Sequence, residues 1–211
     1  RKGLRKKLKT LEIDKDNPLK GILLIQMFEK SSLRTRLSFY LAIRQLGGSA
    51  LTLRPDELHL SKGGESLSDT AKILSTYGDI FVLRTDNEKK LNSFKKFLSI
   101  PLINGLSPNS HPAQILSDIF TIEEITKKNI SRLNICWIGD LNNVLNSLIE
   151  ASIKFSFKLN IGCPKNYNPP SEMLRMIKQK SSKIKIFNNP KVAIKNADVV
   201  YTDVWASMGR K

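Results

Sequence analysis

The sequence contains little cysteine, little histidine and no long apolar run. Its 211 residues include two cysteines, Cys136 and Cys163, and two histidines. Two cysteines so far apart argue against a disulfide framework or a zinc site, and they indicate a reducing compartment. No apolar run approaches the ~20 residues needed to span a bilayer, and the basic start lacks the apolar segment of a signal peptide. We therefore expect a cytoplasmic protein that does not bind membranes.

Acidic residues are also scarce compared with basic ones. The chain has 35 lysines and arginines against 19 acidic residues, which gives a formal net charge of +16. Such an excess suggests nucleic-acid binding. However, the lysines are scattered apart from a cluster within residues 1–9, and there is no basic stripe interleaved with aromatic residues. We therefore expect a solvated lysine-rich surface without a nucleic-acid partner, whose positive field steers anionic substrates toward the protein.

A glycine-rich nucleotide loop is absent, but residues 28–39 suggest another kind of phosphate site. The apolar run 22–28 predicts a buried strand, and a polar turn leads from it into an amphipathic helix that reaches about Leu46. Free backbone N–H groups and the helix dipole favour an anion at such a turn, and Arg34 and Arg36 add guanidinium groups. The same residues are equally compatible with a capped helix whose arginines face the solvent.

Alternating strands and helices predict an α/β fold with two Rossmann-like parallel-sheet domains. We expect a first domain over residues 1–127, an incomplete second domain over 128–211, and a bridging helix that begins at His111. Arg84 follows a predicted strand, at the sheet edge where ligands gather in such folds. The cleft between the domains is the expected place for a small-molecule site.

Four motifs occur along the chain in an order that indicates a family. The motifs are Ser32-Leu33-Arg34-Thr35-Arg36, His111-Pro112-Ala113-Gln114, Gly139-Asp140-Leu141-Asn142-Asn143 and Thr202-Asp203-Val204-Trp205-Ala206-Ser207-Met208-Gly209. They resemble the Ser-Thr-Arg-Thr-Arg, His-Pro-x-Gln, Gly-Asp-x-x-Asn and Thr-Asp-Val-Trp-x-Ser-Met-Gly elements of the ornithine carbamoyltransferases. The last element separates these enzymes from the aspartate enzymes of the same family.

The resemblance implies a homotrimer that transfers the carbamoyl group of carbamoyl phosphate to ornithine, giving citrulline and phosphate in arginine biosynthesis. It implies no metal and no organic cofactor. The residues matched to carbamoyl phosphate binding are Ser32, Leu33, Arg34, Thr35, Arg84, His111 and Gln114, of which Arg34, Arg84 and His111 are the expected catalytic residues. The residues matched to ornithine binding are Asn143, Asp203, Ser207 and Met208. Without the motifs, the favoured interpretations are a loop residue or helix cap for His111, a helix cap for Asn143, a turn residue for Asp203 and a core residue for Met208.

Three departures from the family pattern keep alternatives open. Leu33 replaces a threonine, and because apolar residues occur there in relatives that use acylated ornithine, an N-acylornithine carbamoyltransferase is an alternative that the Ser207-Met208 loop opposes. Lys62 lies in an unusual form of the loop that reaches a neighbouring subunit's site in this family. It either contacts the phosphate bound in that neighbouring subunit or is a solvated lysine. No His-Cys-Leu-Pro element follows Gly209. We therefore expect a C-terminally truncated chain with weak activity, or a non-catalytic binding module.

Overall fold

The computed structural model describes residues 16–57, 64–164, 171–180 and 182–203. The chain divides between Pro108 and Asn109 into two compact units, whereas the motif pattern predicted a division after residue 127. Each unit contains one four-stranded parallel sheet with helices. The predicted α/β class with two parallel-sheet domains is therefore confirmed.

The first unit has a sheet with the strand order β2-β1-β3-β4. Its elements in chain order are β1 (Leu23–Phe28), α1 (Leu33–Gln45), β2 (Ser49–Leu53), α2 (Leu67–Tyr77), β3 (Ile80–Arg84), α3 (Glu88–Phe97) and β4 (Leu102–Leu106). The central strands β1 and β3 are buried on both faces, as parallel strands are when helices cover both sides. Phe81 and Leu83 pack with α2 and α3 on one face, and Val82 packs with Ile43 of α1 on the other.

The second unit has a sheet with the strand order β7-β6-β5-β8. Its elements are α4 (Pro112–Thr126), β5 (Asn134–Ile138), α5 (Asn143–Phe155), β6 (Lys158–Gly162), α6 (Ser171–Lys180), β7 (Ile184–Phe187), α7 (Pro190–Ala193) and β8 (Val199–Tyr201). Trp137 is fully buried at the centre of its core. The predicted bridging helix is α4, and it belongs to this unit because Ile115 and Ile119 pack into the same core.

Candidate active site

In the first unit, Ser32 stands between β1 and α1, at the turn where the sequence predicts a phosphate site. It occupies the N-cap position of α1, but its side chain makes no capping hydrogen bond, and the first turn of α1 has no acidic residue. Its hydroxyl oxygen instead accepts a hydrogen bond of 3.0 Å from Nη1 of Arg84. The amino end of α1 therefore keeps backbone N–H groups that Ser32 does not cap, next to a cationic side chain, which favours an anion.

Arg84 reaches this turn because β3 ends beside β1. The two strands run parallel with Phe28 and Arg84 in register, so both carboxyl ends lie at one edge of the sheet. Burial lowers the pKa of the Arg84 guanidinium from its usual value, although a guanidinium remains charged at neutral pH. Its buried Nε has no hydrogen-bond partner among the described residues. A partly buried cation with an unused donor is well suited to bind an oxyanion.

The other predicted phosphate residues of this unit lie in the first turn of α1. Leu33 is 65% exposed, Arg34 is exposed and Thr35 is half-buried. The hydroxyl of Ser38 donates to the carbonyl oxygen of Arg34 at 2.9 Å. The structure thus brings Ser32, Arg34, Thr35 and Arg84 to one end of one sheet.

A partly buried ion pair that sequence reasoning missed supports this edge. The carboxylate of Glu29 accepts hydrogen bonds from the Thr85 hydroxyl and from the ammonium group of Lys90. The Glu29 and Lys90 side chains are 14% and 25% exposed. The Glu29 backbone N–H also donates to the carbonyl oxygen of Arg84 at 3.0 Å. Because these contacts tie the residue after β1 to β3 and α3, they position both Ser32 and Arg84.

In the second unit, His111 precedes α4. It is buried at 9% exposure, and its backbone N–H donates to the Ser147 hydroxyl of α5 at 2.8 Å. The His111 side chain makes no capping hydrogen bond, and Pro112 begins the helix. His111 therefore occupies the N-cap position of α4 without capping the helix through its side chain, and its backbone is fixed to α5. Nothing in the motif pattern pointed to Ser147.

Gln114 lies one turn further along α4 and is fixed by a carboxylate. Its Nε2 donates to both carboxylate oxygens of Asp118, at 2.9 and 3.0 Å. The Tyr201 hydroxyl donates to the same carboxylate. Burial raises the pKa of the Tyr201 hydroxyl, and Asp118 and Asp203 raise it further, so the phenol keeps its proton. Since a carboxylate only accepts, the Gln114 carbonyl oxygen must face away from Asp118 and is available to a ligand.

The turn after β5 holds Asp203 through Asn142. Asn142 is the N-cap of α5, and its Oδ1 accepts from the backbone N–H groups of Val144 and Leu145. Its Nδ2 donates to Oδ2 of Asp203 at 2.8 Å. Asn143, the predicted ornithine ligand, is the first residue of α5, so its alternative role as the helix cap is wrong. The predicted site residues Ser207 and Met208, together with Lys62, lie outside the described residues.

Cys163 lies beside the same turn and is inert. Its Sγ is 2.8 Å from the carbonyl oxygen of Gly139, to which it donates. Burial raises the pKa of the Cys163 thiol to about 11, and Asp140 contributes to the shift. A thiol that stays protonated at neutral pH is neither a nucleophile nor a metal ligand.

The described residues contain neither a candidate metal cluster nor a membrane-spanning helix. Within 16–57, 64–164, 171–180 and 182–203, no cluster of three or more histidine, cysteine or acidic side chains is placed to hold a metal ion. In that part of the chain, no helix has both the length and the apolar character required to cross a membrane.

Comparison with known proteins decides the family. The carbamoyl-phosphate-binding domain of the aspartate/ornithine carbamoyltransferases matches residues 2–124, and their aspartate/ornithine-binding domain matches residues 131–211. The chain belongs to the aspartate/ornithine carbamoyltransferase family. The resemblance inferred from the four motifs is therefore confirmed.

Individual members of the family are similar over most of this chain. An ornithine carbamoyltransferase of Rhizorhabdus wittichii is 42% identical over 197 residues, which are 93% of this chain and 63% of the relative. The crystal structure of an anabolic ornithine carbamoyltransferase from Campylobacter jejuni matches with a TM-score of 0.83 and 37% identity, over 92% of this chain and 66% of that chain. The structure of the ornithine carbamoyltransferase from Pyrococcus furiosus matches with a TM-score of 0.84 and 36% identity, over 99% of this chain and 66% of that chain. The chain thus spans less than two thirds of the first relative's length.

Proposed function

We propose that this protein is an ornithine carbamoyltransferase, which transfers the carbamoyl group of carbamoyl phosphate to the side-chain amine of ornithine. The products are citrulline and phosphate, and the pathway is arginine metabolism. The observation that carries the proposal is the hydrogen bond from Arg84 to Ser32 at an amino end of α1 that Ser32 leaves uncapped. The names of the similar proteins support it, because those in the comparison above are ornithine carbamoyltransferases.

Carbamoyl phosphate is a small dianion, and its phosphate matches the first-unit residues. Ser32, Arg34, Thr35 and the N–H groups of the first turn of α1, which include that of Leu33, would bind the phosphate oxygens. Arg84 lies next to Ser32 and would bind the oxygen that bridges phosphorus and carbon. Because the charge on that oxygen grows as the bond to carbon breaks, the guanidinium would favour the departure of phosphate.

The carbamoyl group matches residues of α4. His111 and Arg84 would donate to the carbonyl oxygen, which becomes negative as the neutral ornithine amine attacks the carbon. The Gln114 carbonyl oxygen faces away from Asp118 and would accept from the carbamoyl NH2 group. A carbon–nitrogen bond forms, the carbon–oxygen bond to phosphate breaks, and the amine loses a proton. No covalent enzyme intermediate and no cofactor is required, because positioning of the two substrates lowers the barrier.

Ornithine would bind in the second unit. Asp203 is exposed and oriented by Asn142, so its carboxylate can pair with the α-ammonium group. Asn143 would bind the amino-acid end, and Ser207 and Met208 complete the proposed set. We further propose a homotrimeric, cytoplasmic protein, as the motif resemblance implies.

One observation favours a second candidate, an N-acylornithine carbamoyltransferase. Leu33 stands at the first position of α1, next to Ser32, with 65% of its surface exposed. An apolar acyl group would cover part of this surface. A third candidate is a non-catalytic binding module, because Arg84 and the amino end of α1 can hold an anion without any reaction.

Product formation tests the three candidates. The purified chain is incubated with carbamoyl phosphate and either ornithine or N-acetylornithine, and the carbamoylated products are quantified beside an Arg84→Gln variant. We expect citrulline formation that the variant abolishes, because Arg84 would bind the bridging oxygen of carbamoyl phosphate. Faster reaction of N-acetylornithine would establish the second candidate. Binding of carbamoyl phosphate without any product would establish the third.

A further inference from the structure

The amino half of one face of the second sheet is polar, where a parallel sheet is normally apolar. Parallel strands lie between helices, so both faces are usually apolar. In this sheet Asn134 pairs with Lys158, and Asn160 pairs with Lys185. Paired residues, and residues two apart on a strand, share a face. The four side chains therefore form a polar surface, while Leu159, Ile161 and Ile184 pack into the core from the other face.

The helix over this face is too short to cover it. α7 has four residues, and Ala193 at its end accepts a hydrogen bond of 3.0 Å from Nδ2 of Asn160. The helix lies close over Gly162, where a Cβ atom would come within 3.1 Å of the Ala193 side chain. It leaves Lys158 and Lys185 exposed at the amino half of the strands. The result is a cavity of about 430 Å³.

The cavity is strongly cationic. Its lining includes Lys158, Lys183, Lys185 and Lys195, and no acidic side chain among the described residues lines it. The nearby Asp198 is engaged elsewhere, because its carboxylate accepts from the Asn134 backbone N–H at 2.8 Å and lies 3.9 Å from Nζ of Lys128. Ammonium groups gathered around one cavity repel each other, and an anion between them relieves that repulsion.

The rest of the lining suits an organic ligand better than a bare ion. Nδ2 of Asn134 donates to the Asn196 carbonyl oxygen at 2.8 Å, whereas its buried Oδ1 has no hydrogen-bond partner among the described residues. This oxygen can accept from a ligand hydroxyl or amine. Phe187 and Val192 supply an apolar wall. The volume lies within the ~300–1,000 Å³ of typical small-molecule sites.

From these observations we infer that the cavity binds a small phosphorylated organic molecule. Lys158, Lys185 and Lys195 contact its phosphate, whereas Lys183 donates to the Ser156 carbonyl oxygen at 2.7 Å. Phe187 and Val192 contact the organic part, and Asn134 accepts from a hydroxyl or amine. The site lies at the amino ends of β5–β7, whereas Asn142 and Asp203 follow the carboxyl ends of β5 and β8. It is therefore separate from the proposed ornithine residues and does not depend on the proposed reaction.

The probe for this site is AMP, which carries a phosphate, hydroxyl groups and a flat ring. The 15N-labelled chain is titrated with AMP at physiological salt, and amide shifts are followed by NMR. We expect saturable shifts at Lys158, Asn160 and Lys185. Adenosine, which lacks the phosphate, and inorganic phosphate, which lacks the organic part, should each bind at least tenfold more weakly than AMP. Shifts at residues 31–36 would report the other phosphate site, and Arg34→Ala should remove those alone.

Two charge-matched variants separate this site from a general effect of positive charge. Lys158→Gln/Lys185→Gln removes two charges from the cavity, while Lys154→Gln/Lys178→Gln removes two exposed charges from α5 and α6. We expect the Kd for AMP to rise at least tenfold in the first variant and to change less than twofold in the second. Equal losses in both variants, equal affinity for adenosine, equal affinity for inorganic phosphate, or no shifts at the cavity would each overturn the inference.

Discussion

The Glu29–Lys90 ion pair gives the sharpest prediction for stability. Replacing Lys90 by methionine keeps the length of the side chain but leaves the Glu29 carboxylate, which is 14% exposed, without its cation. Removing one partner of a buried pair costs ~3–5 kcal/mol, and partial exposure places this pair near the lower end, at about 3 kcal/mol. In Glu29→Gln/Lys90→Met no unpaired charge remains, and the Gln oxygen can still accept from Thr85. The second substitution should therefore restore part of the lost stability.

Urea unfolding of the four proteins in this double-mutant cycle measures the effect. We expect a coupling energy of at least about 1.5 kcal/mol between the two positions. The matched control is Lys30→Met, because Lys30 also pairs with a carboxylate, Asp86 at 3.2 Å, but both side chains are about 60% exposed. That change should stay within about 0.5 kcal/mol. Additive effects at Glu29 and Lys90, or equal losses for Lys90→Met and Lys30→Met, would refute the positioning role of the pair.

Two further predictions concern the second unit. Tyr201→Phe removes the hydroxyl that donates to Asp118, and we expect a loss of about 1–2 kcal/mol in urea unfolding; a phenylalanine variant as stable as the parent would mean that this bond contributes nothing. Burial raises the pKa of the Cys163 thiol to about 11. The protonated thiol therefore contributes stability that is fully present below the pKa of an unfolded-state cysteine, about 8.5. This contribution is lost as the pH rises toward about 11. The unfolding free energy should therefore fall over that range, and it should fall less in Cys163→Ala; identical pH profiles for the two proteins would contradict the assignment.

The sequence was sufficient for the fold class because apolar strands and amphipathic helices alternate along the whole chain. The pattern carries no clear strand signal at β4, where Asn104 and Gly105 are poor strand formers. That segment is a strand because β3 supplies its hydrogen bonds, with Val82 paired to Ile103. The pattern of strands and helices predicts a domain boundary after residue 127, and this boundary stays a prediction. The compact units of the structure divide before α4 because its apolar side chains pack into the second core.

Only some of the side-chain contacts in the candidate site could be predicted from the sequence. The sequence singled out Ser32 through a motif and Arg84 through its place at the end of a predicted strand, and the structure joins these residues, 52 positions apart, directly. The supporting contacts were not predictable, because Glu29 meets Lys90 across 61 residues and Asp118 meets Tyr201 across 83. Asn142 and Asn143 are both short amides that accept helix-capping bonds equally well. Only the backbone geometry shows that Asn142 is the cap and the partner of Asp203.

Calorimetric titration with carbamoyl phosphate is the most direct test of the central claim, which is that the amino end of α1 and Arg84 form a phosphate site. The chain is compared with Arg34→Ala, in the first turn of α1, and with Arg44→Ala, in the last turn of the same helix. We predict that binding disappears in Arg34→Ala and is unchanged in Arg44→Ala, whose guanidinium instead contacts Tyr40. Equal binding by all three folded proteins, or no binding by the unaltered folded chain, would contradict the claim.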